Sequence, residues 1–254
     1  MKFEEARGYN ANRPHEIRIR AKLNLGIIIA AGGAGSRMRA GASKQLLKLA
    51  GEPVLARTIG IFEPLSQVSE IVVAIDTKNA SAGRRLISDR GFAKVKAVVA
   101  GGEHRAASVI NAFRELSPEI DAVAVHDGAR PLFPGELLRE GLARVNEEGV
   151  DGAVFGLPVI DTIKETEPES LWISGTPERG RLWAAQTPQI FRRAILEQAF
   201  ALPPEILEKA TDDSYLVERI GGRVVMVPGS RENIKLTEPL DVLMAEEILI
   251  RRGE

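Results

Sequence analysis

The stretch LGIIIAAGGAGSRMRAGASKQ, Leu25 to Gln45, decides how the rest of the chain is read. It opens on an apolar run, Leu25-Gly26-Ile27-Ile28-Ile29, with no polar residue to mark a solvent face. Such a run suits a strand buried on both sides, as in a parallel sheet covered by helices. A small-residue loop follows, with glycine at 32, 33 and 35, and then the cations Arg37 and Lys44. Glycine admits positive φ and close backbone approach. A loop of amides at a strand end makes a nest for an anion. Arg37 would add a planar fork and Lys44 a mobile point charge. The loop lacks the Gly-Lys-Ser/Thr ending of a Walker A sequence. It also departs from the dinucleotide fingerprint, because Met38 stands where the frame opened at Gly33 needs glycine. A tight turn with solvent-facing cations is the competing reading of this loop taken alone.

Outward from this stretch, apolar runs alternate with amphipathic segments. Glu70 to Asp76, Val95 to Ala100 and Asp121 to Asp127 read as further buried strands. Val54 to Phe62, Ala80 to Asp89, Arg105 to Leu116 and Gly135 to Asn146 read as helices, the last entered after Pro134. The alternation predicts an α/β fold with a mostly parallel, doubly wound, Rossmann-like sheet. Ligands of such sheets gather at the carboxyl ends of the strands, where the strand order reverses.

The alternation breaks after Gly149. Residues 158–187 hold short β-like pieces, several prolines and the apolar triplet Leu171-Trp172-Ile173. They are expected to form a protruding β-arm, and an exposed arm of this kind calls for a partner, most simply a second copy. Helices near Arg192 to Ala201 and Asp212 to Ile220 follow, then a strand RVVMVPG from Arg223 and a closing helix from Glu238. Residues 1–24 are polar, with no sustained period, and read as a flexible tail, with a functional arm as the alternative. Residues 25–254 then form a single domain carrying the arm.

Composition narrows the class. Among 254 residues, 34 Lys and Arg balance 35 Asp and Glu, so no global basic field invites nucleic acid. The absence of cysteine excludes disulfides, thiolate metal sites and cysteine nucleophiles. No apolar run approaches the length of a membrane span and no secretory leader opens the chain, which points to the cytoplasm.

Three more stretches fall at expected strand ends: AGGEHRAAS (Ala100 to Ser108), HDGARP (His126 to Pro131) and, before the last helix, ENIKLTEP with Lys235. Each also has a plain structural reading as a turn, a satisfied carboxylate or a solvated lysine. Together with AAGGAGSRM, PVIDTIK, QTPQIF, TDDSYLVERIGG and NIKLTEPLD, and in this order from Gly26 to Ile250, they resemble the 2-C-methyl-D-erythritol 4-phosphate cytidylyltransferase family.

The resemblance implies a nucleotidyltransferase domain with a dimerising β-arm. It implies transfer of CMP from CTP to 2-C-methyl-D-erythritol 4-phosphate, with release of pyrophosphate and with Mg²⁺ held mainly by the CTP phosphates rather than by a protein metal site. Arg37 and Lys44 then match the pair that stabilises the pentacoordinate α-phosphate, and Arg179 and Lys235 the pair that positions the acceptor phosphate. Thr162, Thr187 and Thr211 match acceptor-pocket positions, partly shared across the dimer. CTP would be bound by Ala30, Ala31, Gly32, Gly33, Gly35, Gly101, Gly102, Arg105, Ser108, Asp127, Gly128 and Arg130. Departures from the family pattern are small: one extra residue in the first loop, Ser43 for proline, Glu103 for aspartate and Gly128 for alanine. Ribitol-5-phosphate cytidylyltransferase is the rival on the same scaffold, though VHDGARP and NIKLTEP favour methylerythritol phosphate. From another class, a non-catalytic nucleotide-binding regulator, without turnover, is the alternative, and retention of all four cations counts against it, since a binder needs no transition-state pair. Hexose-phosphate nucleotidylyltransferases have longer opening loops.

Overall fold

The computed structural model describes residues 23–32 and 47–254. The first strand, β1 (Leu25–Ala31), alternates between two cores: Ile27 and Ile29 point into one, Ile28 into the other. That is why its sequence carries no polar face. After it come the short pair β2 (Lys48–Leu49) and β3 (Glu52–Pro53), then α1 (Val54–Phe62), β4 (Val68–Ile75), α2 (Ala80–Arg90), β5 (Val95–Ala100), α3 (Arg105–Glu115) and β6 (Ala122–Asp127). The chain continues through α4 (Leu138–Val145), β7 (Gly152–Pro158), the small pair β8 (Glu165–Thr166) and β9 (Ile173–Gly175), and β10 (Trp183–Arg192). It ends with α5 (Arg193–Ala199), α6 (Pro204–Lys209), α7 (Asp213–Arg219), β11 (Val224–Pro228) and α8 (Pro239–Arg252).

The central sheet has seven strands in the order β11-β7-β10-β6-β1-β4-β5. Every neighbouring pair is parallel except those made by β10, which runs against both β6 and β7. Residues of α1, α2 and α4 cover one face, and those of α3, α5, α6 and α7 the other. The doubly wound, mostly parallel sheet expected from the alternation is therefore present. A third cluster joins α8 to Leu49, Val54, Leu132 and Leu236, and so holds the C-terminal helix near the end of β6. Strand order reverses between β1 and β6, which places the switch point at Ala30 and Asp127, directly paired across the two strands.

Two elements differ from the sequence reading. The expected helix from Arg192 is preceded by the ten-residue strand β10, inserted centrally and antiparallel. Three short helices, not two, follow it, since α6 lies between the expected pair. The tail reading of residues 1–24 lies outside the described residues up to residue 22. Asn24 already belongs to the body, with its amide nitrogen donating to Asp121 Oδ2 at 2.9 Å.

Because β10 is antiparallel to β7, its start and the end of β7 lie at the same edge of the sheet, the carboxyl edge of the parallel strands. The segment between them, which carries β8 and β9, projects from that edge. Its tip is apolar: Leu171, Trp172 and Ile173 are 94%, 77% and 62% exposed. Near its foot the Arg179 guanidinium donates to the carbonyl of Ile160 at 2.9 Å.

Helix α4 approaches the sheet closely because residue 141 has no side chain. A Cβ there would lie 2.6 Å from Ile190 Cδ1 and 2.9 Å from the Phe155 ring. Gly141→Val is expected to destabilise the fold by about 1–3 kcal/mol through overpacking, read as a lower urea midpoint. An unchanged midpoint would mean that α4 is not seated on the sheet as described.

Candidate active site

At the switch point the backbones of three strand-end loops converge, and small residues permit it. A Cβ on Gly101 would lie 3.2 Å from Ser108 Oγ and 3.6 Å from Gly32 Cα, while one on Gly102 would meet Ala107 Cβ at 2.5 Å. Gly128 donates its amide to the carbonyl of Ala30 at 2.8 Å. A Cβ on Gly128 would lie 3.0 Å from that of Ala31, so an alanine would be tight here. Ser108 closes the Gly101-Gly102 turn: its hydroxyl donates to the carbonyl of His104 at 3.1 Å and accepts from Gly102 N at 2.9 Å.

Asp127 ends β6 with its carboxylate nearly buried, and three cations face it. Lys235 Nζ lies 2.9 Å away, Arg130 Nε 3.3 Å and Arg105 Nη2 3.7 Å. Burial pushes this carboxyl up, but Lys235, Arg105 and Arg130 together hold it well below the usual carboxylate range. Arg105 has a second partner, the fully buried Asp213 at the start of α7, 2.7 Å from its Nη1. Burial pulls the Arg105 guanidinium down, and the carboxylates of Asp213 and Asp127 outweigh it, so its affinity for the proton rises. Burial pushes the Asp213 carboxyl up against the pull of Arg105. Arg105 Nη2 is buried with no hydrogen-bond partner among the described residues. Lys235, 45% exposed on its side chain, opens the cluster to solvent. Asp212 also acts on Arg105, so Arg105 is largely spent on carboxylates, and the half-exposed Lys235 is the cation of this cluster most open to an incoming anion.

The model of the 2-C-methyl-D-erythritol 4-phosphate cytidylyltransferase family matches residues 25–251. The chain belongs to that family. Relatives bearing the same name include proteins of Alkaliphilus metalliredigens, 38% identical over 90% of this chain and 94% of the relative, and of Geotalea uraniireducens, 40% identical over 89% and 97%. In the fold it is similar to the crystal structure of 4-diphosphocytidyl-2C-methyl-D-erythritol synthase from Anaerococcus prevotii, with a TM-score of 0.77 at 24% identity over 91% of this chain and 97% of that one.

The structure brings together Ala30, Ala31, Gly32, Gly101, Gly102, Arg105, Ser108, Asp127, Gly128, Arg130, Thr187 and Lys235 of the residues expected from the sequence. Thr162 and Arg179 stand exposed on the arm, and Thr211 is exposed just before α7. Gly33, Gly35, Arg37 and Lys44 lie outside the described residues. Thr187 is buried, and its hydroxyl accepts from Asp127 N at 3.0 Å and meets His126 Nδ1 at 3.1 Å.

Four buried residues that hold this cluster together were not singled out from the sequence. Gln189 accepts from the amides of Asp213 and Ser214 and donates to Asp212 Oδ2, fixing the start of α7. Asn233 donates to the carbonyl of Thr187 at 2.8 Å, and its own carbonyl receives Arg130 Nη1 at 2.7 Å. Asp213 anchors Arg105, and His126 lies beneath Asp127. The N-cap pattern at Asp212 was a signal for a helix start. Nothing in the local pattern marked the burial of these four.

Burial pushes the His126 imidazole down to about 4 from an ordinary 6.5. Its stabilising effect is therefore complete above pH 6.5 and is lost as pH falls toward 4, because the unfolded chain takes up the proton first. The loss across that window is about 3 kcal/mol. His126→Phe, which fits the aromatic surroundings, should be less stable at neutral pH yet show a flatter stability profile between pH 6.5 and 4. Denaturant titrations at a series of pH values check this, and parallel profiles for the two proteins would refute it. Asp127, also depressed, acts in a separate window below 3.8.

Proposed function

We propose that this chain transfers CMP from CTP to 2-C-methyl-D-erythritol 4-phosphate and releases pyrophosphate, a step in making isoprenoid precursors. The observation that carries the proposal is the cation cluster around Asp127 at the β1/β6 switch point, in a chain of the family named for this reaction. The acceptor is a phosphate monoester with its second pKa near 6, so at neutral pH it is about −1.5 to −2 charged and needs no strong base. One of its oxygens bonds to the α-phosphorus of CTP while the bond from that phosphorus to the bridging oxygen breaks, and pyrophosphate leaves. The barrier lies in bringing a dianion to a triphosphate, so catalysis consists of charge neutralisation and alignment.

In this reading Gly32, Gly101, Gly102, Gly128 and Ser108 form the nucleotide's backbone cradle, with Ala30, Ala31, Arg105, Asp127 and Arg130 beside it. Gly33, Gly35, Arg37 and Lys44 complete the triphosphate side. Lys235 and Arg179 take the acceptor phosphate, with Thr162 and Thr211 around it and Thr187 supporting from below. Mg²⁺ would be held chiefly by the phosphate oxygens of the bound nucleotide. The donors gathered here are chiefly cationic and suit phosphate. Among the described residues no cluster of three or more acidic or histidine side chains is formed to hold the ion alone. With Mg²⁺ bound, part of the triphosphate charge is neutralised. The reaction belongs in the cytoplasm on this reading; no helix among the described residues is long and apolar enough to cross a membrane.

Pyrophosphate release assayed with CTP, UTP and ATP, and with methylerythritol and ribitol phosphates, tests the assignment. Turnover is expected with CTP and methylerythritol phosphate, and Lys44→Ala should lower kcat by about 10²–10³ with a smaller change in KM for CTP. Preference for ribitol phosphate, or equal use of UTP, would overturn it.

The exposed Leu171-Trp172-Ile173 tip supports a homodimer built by the arm, since an isolated two-stranded hairpin is marginal in water. A two-fold axis would bring Thr162 and Arg179 to the partner's acceptor site. Sedimentation should show a dimer, and removal of residues 167–173 should yield monomers with poor acceptor turnover and near-normal CTP binding. A fully active monomer would refute the shared site.

A further inference from the structure

His126 is fully buried at the penultimate position of β6, and its ring packs against the stacked pair Phe62 and Phe133, with centroids 5.0 Å and 5.8 Å away. Both ring nitrogens are nonetheless engaged. Nε2 lies 3.0 Å from the carbonyl oxygen of Arg130, which can only accept, so the ring proton belongs on Nε2. Nδ1 then carries the lone pair and accepts from the Thr187 hydroxyl at 3.1 Å. That hydroxyl in turn accepts from Asp127 N at 3.0 Å.

The result is a closed circuit around the loop that bears the charges. Its start is held by Asp127 N on Thr187, and its end by the Arg130 carbonyl on His126. Thr187 is also fixed from the other side, through Asn233 Nδ2 on its carbonyl, and Asn233 holds the Arg130 guanidinium. Thr187 sits where the β10 register shifts against β7, between Ala185 and Gln189, so the circuit joins two strands at an irregular point of the sheet. A ring with only apolar duties could be phenylalanine. The geometry of both nitrogens calls for an imidazole.

We infer that His126 is a positioning residue for the nucleotide site: as the Nε2–H tautomer it sets the Asp127–Arg130 loop against β10 through Thr187. The inference rests on the proposed cytidylyl transfer for its kinetic consequence, but not for its tautomer. A ring of this kind touches no substrate. It acts through the carboxylate of Asp127 and the guanidinium of Arg130, whose displacement by a fraction of an ångström is felt in the reaction.

Three substitutions separate the two hydrogen bonds. His126→Phe keeps the ring and loses both. His126→Gln can return an N–H near the place of Nε2, and His126→Asn an acceptor near that of Nδ1. His126→Phe is expected to lower kcat/KM for CTP by about 10–100-fold while staying folded by circular dichroism. His126→Gln should recover most of that loss, and His126→Asn less. Wild-type kinetics in His126→Phe, or equal losses in all three that track their stabilities, would overturn the inference. Nitrogen-15 NMR of the imidazole in the unaltered protein decides independently of folding in the variants. A protonated Nε2 with an accepting Nδ1 supports the circuit, and the opposite tautomer overturns it. Failure of the unaltered protein to turn over CTP would count against the proposed reaction and leave this NMR result to judge the circuit.

Discussion

A carboxylate at the end of a buried strand is costly unless cations meet it, and the meeting of Asp127 with Lys235, Arg130 and Arg105 organises the rest of the molecule. The three cations come from remote parts of the chain. Arg105 opens α3, Arg130 closes the loop after β6, and Lys235 precedes α8. Arg105 is itself staked by Asp213, which indexes α7 to the same charge. Removing one member of such a set leaves an uncompensated charge, a loss typically of about 3–5 kcal/mol when the pair is buried. The helices on the second face, the C-terminal segment and the switch point of the sheet therefore answer to one anion. Lys235, half-exposed at the rim of the set, is the cation an incoming anion can reach.

The second constraint is the reversed strand. Parallel neighbours need a crossover connection, whereas antiparallel neighbours can be joined at one end. By running against β7, β10 begins where β7 ends, and the segment between them has both feet at the carboxyl edge. An arm anchored there projects from the edge that holds the charged cluster. The same strand then passes its buried polar residues, Gln186, Thr187 and Gln189, under that cluster. Gln186 donates to the carbonyl of Ser230 and Thr187 supports Asp127, while Gln189 pins α7. One strand thus supplies both the foot of the arm and the polar floor of the site.

This strand also explains where the sequence could be read and where it could not. β1, β4 and β6 are buried on both faces, so continuous Ile, Val and Ala runs mark them, and Val54 to Phe62 follows Pro53 with a clear amphipathic period. β10 has exposed residues at its start and polar or proline residues at its buried centre, so neither alternation nor a continuous apolar run appears. α6 is too short to show a period. In the site, Asp127, Arg105, Arg130, Lys235 and the glycines fall at strand ends, where position itself is informative. His126 with Thr187, and Arg105 with Asp213, are partners 61 and 108 residues apart, and no local pattern encodes such a pairing.

The layering beneath Asp127 has an electrostatic consequence. Phe62 and Phe133 form an apolar base, above them lie His126, Thr187 and Asn233 with their hydrogen bonds, and above these stand the charges. A low-dielectric base strengthens the field of the cations on the side that faces solvent. The hydrogen-bonded middle layer fixes the groups so that they need not reorganise when charge develops on a bound phosphate. Apolar residues alone could supply the dielectric but not the fixed directions. Polar residues alone could supply directions but would admit water and weaken the field. The order of the layers, and not only the presence of cations, therefore makes the carboxyl edge of this sheet suited to phosphoryl chemistry.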